Sequence, residues 1–334
     1  MIRPRVGFLG TGWIGRNRMA AMLQAGEIEA VAIVDPSPDC VEEALKLAPH
    51  AQALPTLEAM LALDLDGIVI ATPSALHAGQ AISALKHGAA LFCQKPLGRN
   101  EEEARAVIEA AREADRLLAV DLSYRKTAAA RAVIDQIRSG ALGRVFAAEL
   151  EFHNAYGPDK PWFYDPALAG GGCLMDLGVH LVDLALLALD WPQVERVSGK
   201  LFAKGLPLRA TSREVEDYAF AQLDLASGAV VTIACSWHLH AGREALIGAR
   251  FHGTQGGAAM CNVGGSFYDF EARANSGTSS RTLCSPPDEW GGRQAADWAA
   301  QLAAGARYDP ACEQVLATAC VLDRIYASAT AGEG

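Results

Sequence analysis

The chain contains no C-x-x-C pair. Its eight cysteines stand singly at 40, 93, 173, 235, 261, 284, 312 and 320, mostly inside apolar runs. That spacing excludes a zinc ribbon and gives no disulfide framework, so reduced core thiols in a cytoplasmic protein are expected. Basic charge is also short, with 29 Lys and Arg against 39 Asp and Glu, a formal net charge of −10. An acidic surface attracts neither nucleic acid nor an anionic membrane, so neither is an expected partner. The opening residues lead straight into an apolar strand, and no signal-peptide core is expected. The most apolar helical run, 181–189, is interrupted by Asp183 and too short to cross a bilayer. His238 and His240 lie two apart on one strand face without a matching carboxylate cluster. Sheet packing is their expected role, and no metal is expected. There is no internal repeat and no low-complexity segment.

What is present begins with Val6-Gly7-Phe8-Leu9-Gly10-Thr11-Gly12-Trp13-Ile14-Gly15. A short apolar strand runs into G-x-G-x-x-G and then into a helix pattern with Met19, Met22 and Leu23 on one face. Gly10 allows the tight turn out of the strand, Gly12 lets a pyrophosphate approach the backbone, and Gly15 allows close helix–strand packing. The helix start at Trp13 and Ile14 offers backbone N–H groups to phosphates. Asp35 lies 20 residues after Gly15, at the end of a second apolar strand, where it can accept hydrogen bonds from an adenosine ribose. Together these predict a dinucleotide site. Since Pro36-Ser37-Pro38 brings no arginine to neutralise a 2′-phosphate, NAD is expected in preference to NADP.

With 334 residues, 51% hydrophobic and 20% charged, the chain has room for two globular domains. Over 1–121, strand patterns at 6–9, 30–34, 67–71, 90–93 and 117–121 alternate with helix patterns at 14–25, 39–47, 57–61, 75–87 and 101–114. Apolar strands separated by amphipathic helices predict a doubly wound parallel Rossmann sheet of the α/β class. The helix after Asn100 has a cap residue and three glutamates in its first turn. Over 122–334 the pattern turns α+β. Helices are expected at 128–139, 173–189, 292–303 and 311–329, and strands at 146–152, 194–202, 218–225, 230–238, 245–252, 258–263 and 267–272. These predict a large, open, mainly antiparallel sheet with helices on one face, and 275–281 reads as a hairpin loop. The strand at 230–237 is too apolar for an open face to stay in water, so a homodimer or homotetramer formed through this sheet is expected.

Three further features carry chemistry. Gln94-Lys95-Pro96 follows the fourth main strand, and a lysine at the carboxyl end of a parallel strand points into the cofactor crevice. The proline can hold the bond before it cis. The run Gly170-Gly171-Gly172-Cys173-Leu174-Met175-Asp176-Leu177-Gly178-Val179-His180 sets Asp176 and His180 four apart on one helix face, with Gly178 leaving space between them. The third is the strand end Ala71-Thr72-Pro73 leading to His77, whose backbone borders the dinucleotide; His77 itself reads either as a ligand or as a helix-surface histidine. Arg125 and the aromatic loop of Tyr156, Trp162 and Tyr164 are candidates for lining a substrate site.

These motifs together resemble the glucose–fructose oxidoreductase / inositol dehydrogenase / MocA family along nearly the whole chain. The resemblance implies an NAD(P)-dependent oxidoreductase acting on sugars, cyclitols or related alcohols and ketones. A dihydrodiol or pyrrole-pigment reductase and a dinucleotide-sensing regulator are the alternatives. Lys95, Asp176 and His180 become its catalytic constellation. Thr72, Pro73, His77, Gln94 and Lys95 join the glycine loop and Asp35 around the cofactor, and Arg125, Tyr156, Trp162, Asp176 and His180 surround the substrate. The family carries glutamate where this chain has Gln94; glutamine keeps the hydrogen-bonding shape and loses the charge that would anchor Lys95. Alcohol oxidation needs a proton acceptor, which His180 can be near neutral pH. Lys95 can polarise the substrate oxygen. The residue pattern leaves open which of the two takes the proton.

Overall fold

The computed structural model describes residues 3–209 and 212–330, so the expected domain limits at 1 and 334 lie outside the described residues. The chain forms two units. The first holds residues up to Ser123 together with Gly291–Leu316, and the second holds Tyr124–Trp290 and the residues from Ala317 on.

In the first unit the elements run β1 (Arg5–Leu9), α1 (Trp13–Ala25), β2 (Glu29–Val34), α2 (Pro38–Leu47), β3 (Gln52–Ala53), α3 (Leu57–Leu61), β4 (Gly67–Ile70), α4 (Ser74–Lys86), β5 (Ala90–Cys93), α5 (Glu101–Ala114) and β6 (Leu118–Val120). All strand pairs are parallel in the order β3-β2-β1-β4-β5-β6. The order reverses between β1 and β4, and ligands of such sheets bind outside the carboxyl ends of the strands at that point. The expected doubly wound sheet is therefore present. β3 went unread because two exposed residues carry no period. Local chemistry explains the helix starts: Ser37 caps α2 by accepting the Cys40 N–H, and Asn100 caps α5 by accepting the Glu103 N–H at 2.8 Å. Phe8, Ile33, Val69 and Phe92 fill the core between sheet and helices.

The expected single division at 121/122 does not describe the chain's return. A late helix, α9 (Arg293–Ala303), belongs to this first unit, with Ala295, Trp298 and Ala299 in its core. Trp298 is 1% exposed and its ring centroid lies 5.8 Å from that of Phe92. An amphipathic pattern announces a helix but not which sheet it covers.

The second unit begins with α6 (Ala128–Arg138) and β7 (Val145–Asn154). A short α7 (Pro166–Ala169) and a π-helical turn (Leu174–Gly178) lead into α8 (Val179–Ala188). The strands β8 (Val194–Ala203), β9 (Leu206–Pro207), β10 (Tyr218–Leu225), β11 (Val230–Ser236), β12 (Ala245–Gly253), β13 (Gly257–Asn262), β14 (Phe270–Ser276) and β15 (Ser279–Cys284) follow, and α10 (Gln314–Thr330) closes the described chain. The nine-stranded sheet runs β15-β14-β13-β12-β7-β11-β10-β8-β9. Only the β11–β7 pair is parallel, as the mainly antiparallel expectation requires. The hairpin loop expected at 275–281 is the turn between β14 and β15, tighter than expected because both strands run into that stretch. Ser279 to Arg281 are exposed, so no alternation betrayed that strand.

Period-2 alternation sends Leu150 and Phe152 of β7, and Val231, Ile233 and Cys235 of β11, to the buried face under the helices. The apolar half of β11 is thus used inside the unit. Its other half is Val230, Thr232, Ala234 and Ser236. The segment 166–188 is long and apolar enough for a membrane span by length and composition, longer than the 181–189 run, but it is mostly buried inside the protein.

Candidate active site

The first unit builds its cradle from adjacent strand ends. Gly10 turns the chain out of β1 at φ 84°, and its N–H donates to the Val34 carbonyl at 2.8 Å. A Cβ on Gly10 would stand 2.6 Å from the Ala71 carbonyl oxygen, and one on Gly15 2.1 Å from that of Gly10. Gly12 has nothing within 4 Å of its Cβ position. Two glycines are thus required by the fold itself, while the third leaves backbone open to an approaching pyrophosphate. No side chain caps α1, so the N–H groups of its first turn, around Trp13 and Ile14, suit an anion. These residues fit a dinucleotide.

Asp35 is held by the loop beside it. Its Oδ2 accepts the Thr11 N–H at 2.6 Å and its Oδ1 accepts the Ser37 N–H at 2.9 Å. A carboxylate has about four acceptor positions, so capacity remains for ribose hydroxyls. The neighbouring guanidinium of Arg16 is engaged with the Thr11 carbonyl at 2.6 Å.

His77 departs from its expected direct contact with the cofactor. It is 1% exposed, and its Nδ1 and Nε2 lie 2.7 Å from the carbonyl oxygens of Pro96 and Thr72. Burial pushes its pKa below the ordinary histidine value, against the pull of the two carbonyls. The ring ties the turn at Thr72 and Pro73 to the turn at Lys95 and Pro96, whose peptide bond is cis. It is a brace between two loops of the cradle.

Gln94 answers the question its departure from the family raised. Its side-chain amide donates to Asp121 Oδ2, the oxygen that also accepts Arg18 Nε at 2.5 Å. Gln94, Arg18 and Asp121 are all buried. A glutamate at 94 would set one carboxylate against another, whereas glutamine supplies the donor. The negative charge next to the Lys95 turn thus resides on Asp121, across one hydrogen bond.

In the second unit, the helix after the glycine run opens with a π turn, in which the Val179 N–H reaches the Leu174 carbonyl. Such turns recur at functional sites because they re-aim side chains. Asp176 sits in this turn and His180 just after it. Asp176 Oδ2 accepts the Trp237 indole N–H at 3.2 Å. Phe163 and Tyr164 meet Trp237 edge-on at 6.4 and 5.5 Å, and Trp162 stacks on Phe163 at 3.8 Å. Burial, then the Asp176 and Asp159 charges, push the Tyr164 phenol upward. His180 is 8% exposed, with its ring 4.8 Å from that of Tyr124 and 6.4 Å from that of Phe152. The carboxylate and the imidazole are therefore each set against aromatic walls, polar ends on an apolar background.

Two substrate candidates are placed otherwise. Arg125 makes a two-pronged ion pair with the buried Asp183, Nε to Oδ2 at 2.5 Å, and lies 5.4 Å over the Trp191 ring. That pair explains the aspartate interrupting an apolar helix and makes Arg125 a structural partner. Arg125→Leu would leave the Asp183 carboxylate buried without its counter-charge. It should lower stability by about 3 kcal/mol or more, read as a shifted urea midpoint at unchanged slope. Tyr156, half exposed, packs against Phe267 at 6.2 Å and hydrogen-bonds Glu244. His238 and His240 lie beyond the end of β11 and are exposed, so the expected sheet packing does not hold. Among the described residues no group of three or more His, Cys, Asp or Glu is arranged to hold a metal.

Trp237, Tyr124 and Asp121 were missed in the sequence. The alternation 231, 233, 235, 237 was the signal for Trp237. Nothing local marks Asp121, which meets Gln94 only because β5 and β6 are neighbours in the sheet.

Comparison with known proteins agrees with both halves. Residues 4–122 match the model of an oxidoreductase family with an NAD-binding Rossmann fold, and 130–259 match that of a GFO/IDH/MocA C-terminal domain. D-glucoside 3-dehydrogenase of Escherichia coli is 25% identical over 77% of this chain and 76% of its own length. Levoglucosan dehydrogenase of Pseudarthrobacter phenanthrenivorans is 30% identical over 58% of this chain, which spans about half (54%) of that relative. A solved levoglucosan dehydrogenase, in complex with NADH and levoglucosan, superposes with a TM-score of 0.84 at 23% identity, covering 98% of this chain and 97% of that one.

Proposed function

The chain belongs to the GFO/IDH/MocA oxidoreductase family, and on that premise we propose that it is an NAD-dependent dehydrogenase or reductase of a sugar, cyclitol or related polyhydroxylated molecule. The observation that carries the reading is the pairing, on one helix start, of a carboxylate bonded to Trp237 and an imidazole packed on Tyr124. Such a pair can hold adjacent hydroxyls and move a proton, and the half-buried rings of Trp162 and Phe163 suit the C–H surfaces of a sugar. The relatives above, a glucoside and a levoglucosan dehydrogenase, support the same class.

A nicotinamide dinucleotide held by the Gly10–Gly15 loop and Asp35 would supply or take up the hydride. The remaining work belongs to side chains. His180 accepts the hydroxyl proton during oxidation and returns it during reduction. Lys95 stabilises the developing alkoxide, and Asp176 orients a neighbouring hydroxyl or the imidazole. Titrating the protein with neutral polyols in the presence of NADH, followed by tryptophan fluorescence, tests the assignment of the rings. Saturable quenching is expected, lost in Trp162→Phe if the assignment is right.

NAD is the proposed cofactor. The Asp35 carboxylate is fixed beside the glycine loop, and a 2′-phosphate placed against it suffers like-charge repulsion. We expect kcat/KM for NAD to exceed that for NADP by about 100-fold, and Asp35→Ser to close most of the gap. A clear NADP advantage in the unaltered protein would contradict this.

We further propose a homodimer or homotetramer joined through the uncovered face of the nine-stranded sheet. Phe220 is 41% exposed on that face and lies across from the outward Ala234. Light scattering should give at least twice the chain mass, and a monomer at micromolar concentration would refute it. A cytoplasmic location suits the eight free cysteines.

A further inference from the structure

We infer that Glu216, clamped by Tyr326, is a positioning residue for the helix start that carries Asp176, holding three successive backbone amides in place from a distant part of the chain. The inference rests on the catalytic reading of Asp176 and His180 given above. Glu216 lies just before β10, 1% exposed. Its Oε1 accepts the N–H groups of Gly172 and Leu174, each at 2.9 Å, and the Tyr326 hydroxyl at 2.8 Å. Its backbone carbonyl accepts the Cys173 N–H at 2.9 Å. One residue therefore satisfies the amides of Gly172, Cys173 and Leu174. Helix starts leave such donors without intrahelical partners, and no local side chain caps this one.

The glycine run takes on a more specific reason than a tight turn. A Cβ at Gly171 would stand 2.0 Å from the Tyr326 hydroxyl, and one at Gly172 1.9 Å from the Glu216 carbonyl oxygen. Both glycines make room for the clamp. Around it the surroundings are dry: Cys173 and Cys235 are fully buried, and each Sγ lies 3.5 Å from the other's carbonyl oxygen. Burial pushes the Glu216 carboxyl above its usual range while the hydrogen bonds pull it back, and the same burial raises the Tyr326 phenol. Because all three side-chain bonds converge on one oxygen, a glutamine amide oxygen can take the same place, and an alanine cannot. Tyr326 comes from α10, so the last helix of the chain supports the turn that carries Asp176.

The test compares Glu216→Ala, Glu216→Gln and Tyr326→Phe in the full chain. It measures kcat, KM for a polyol, NADH affinity, and amide hydrogen exchange over residues 172–179. A displacement of about 1 Å at a reacting centre can cost 100-fold. Glu216→Ala should therefore lower kcat by about 30-fold or more, with NADH affinity within about twofold and faster exchange confined to 172–179. Glu216→Gln should recover activity to within about threefold, and Tyr326→Phe should fall between the two. Wild-type kcat in Glu216→Ala overturns the inference, as does a Glu216→Gln variant as impaired as the alanine. If Glu216→Ala does not fold, Tyr326→Phe decides, and unchanged kcat with unchanged exchange there overturns it. If the unaltered protein turns over no polyol, the dehydrogenase reading fails by itself. Hydrogen exchange then still decides whether Glu216 holds the turn: unchanged exchange at 172–179 in Glu216→Ala and Tyr326→Phe overturns it.

Discussion

His180→Ala should lower kcat by on the order of 100-fold or more while leaving NADH affinity within about twofold. The imidazole belongs to the second unit, whereas the glycine loop and Asp35 belong to the first, so its loss leaves the dinucleotide cradle intact. Its ring is packed against Tyr124 and nearly buried, a setting that fixes its direction at little further entropy cost. A hundredfold loss corresponds to about 2.7 kcal/mol of transition-state stabilisation, within what one positioned acid–base group supplies. Steady-state kinetics paired with NADH fluorescence titration checks both halves. Activity within a few-fold of the unaltered protein would remove His180 from the mechanism, and lost NADH binding would make its role structural.

Lys95→Met should be as severe, lowering kcat by about 100- to 1000-fold, because a donor aimed at developing negative charge acts mainly in the transition state. The lysine stands two residues beyond the end of β5, next to Pro96, whose carbonyl is braced by His77. Lys95→Arg should not restore activity, since a planar fork does not replace a compact ammonium. The loss should fall on kcat, with KM for the polyol changed far less. An equal rise in KM with unchanged kcat would instead make Lys95 a uniform binding group. Gln94 should matter here through Asp121: a glutamate at 94 crowds two carboxylates beside Arg18, unlike the glutamine donor seen in this chain.

Much of this architecture was readable from periodicity. The strand, glycine and acid order around Gly10 to Asp35 reports its own geometry, because each residue acts within a few positions of its neighbours in sequence. The helix that carries Asp176 and His180 was readable for the same reason, but not the π turn at Leu174–Gly178 in which Asp176 sits. What escaped depends on contacts between distant segments. Asp121 reaches Gln94 through adjacent strands, Trp237 reaches Asp176 across 61 residues, and Glu216 reaches Gly172 across 44. His77 looked like a candidate ligand because a sequence shows the imidazole and not the two carbonyls that engage it. Arg125 misled similarly, since its partner Asp183 was visible only as a break in an apolar run. β15 carries no hydrophobic period, because an edge strand exposed on both sides shows none, so only the hairpin turn before it is legible.

Hydride transfer between nicotinamide and a polyhydroxylated substrate is the reaction on which the catalytic roles of His180 and Lys95 rest. The most direct measurement is NADH formation when the purified protein and NAD are offered two matched panels, one of neutral sugars, sugar derivatives and cyclitols, the other of simple aliphatic and aromatic alcohols. Turnover is expected within the first panel and should be abolished in His180→Ala and Lys95→Met. Turnover confined to the second panel, or equal activity in the unaltered protein and both variants, would contradict it.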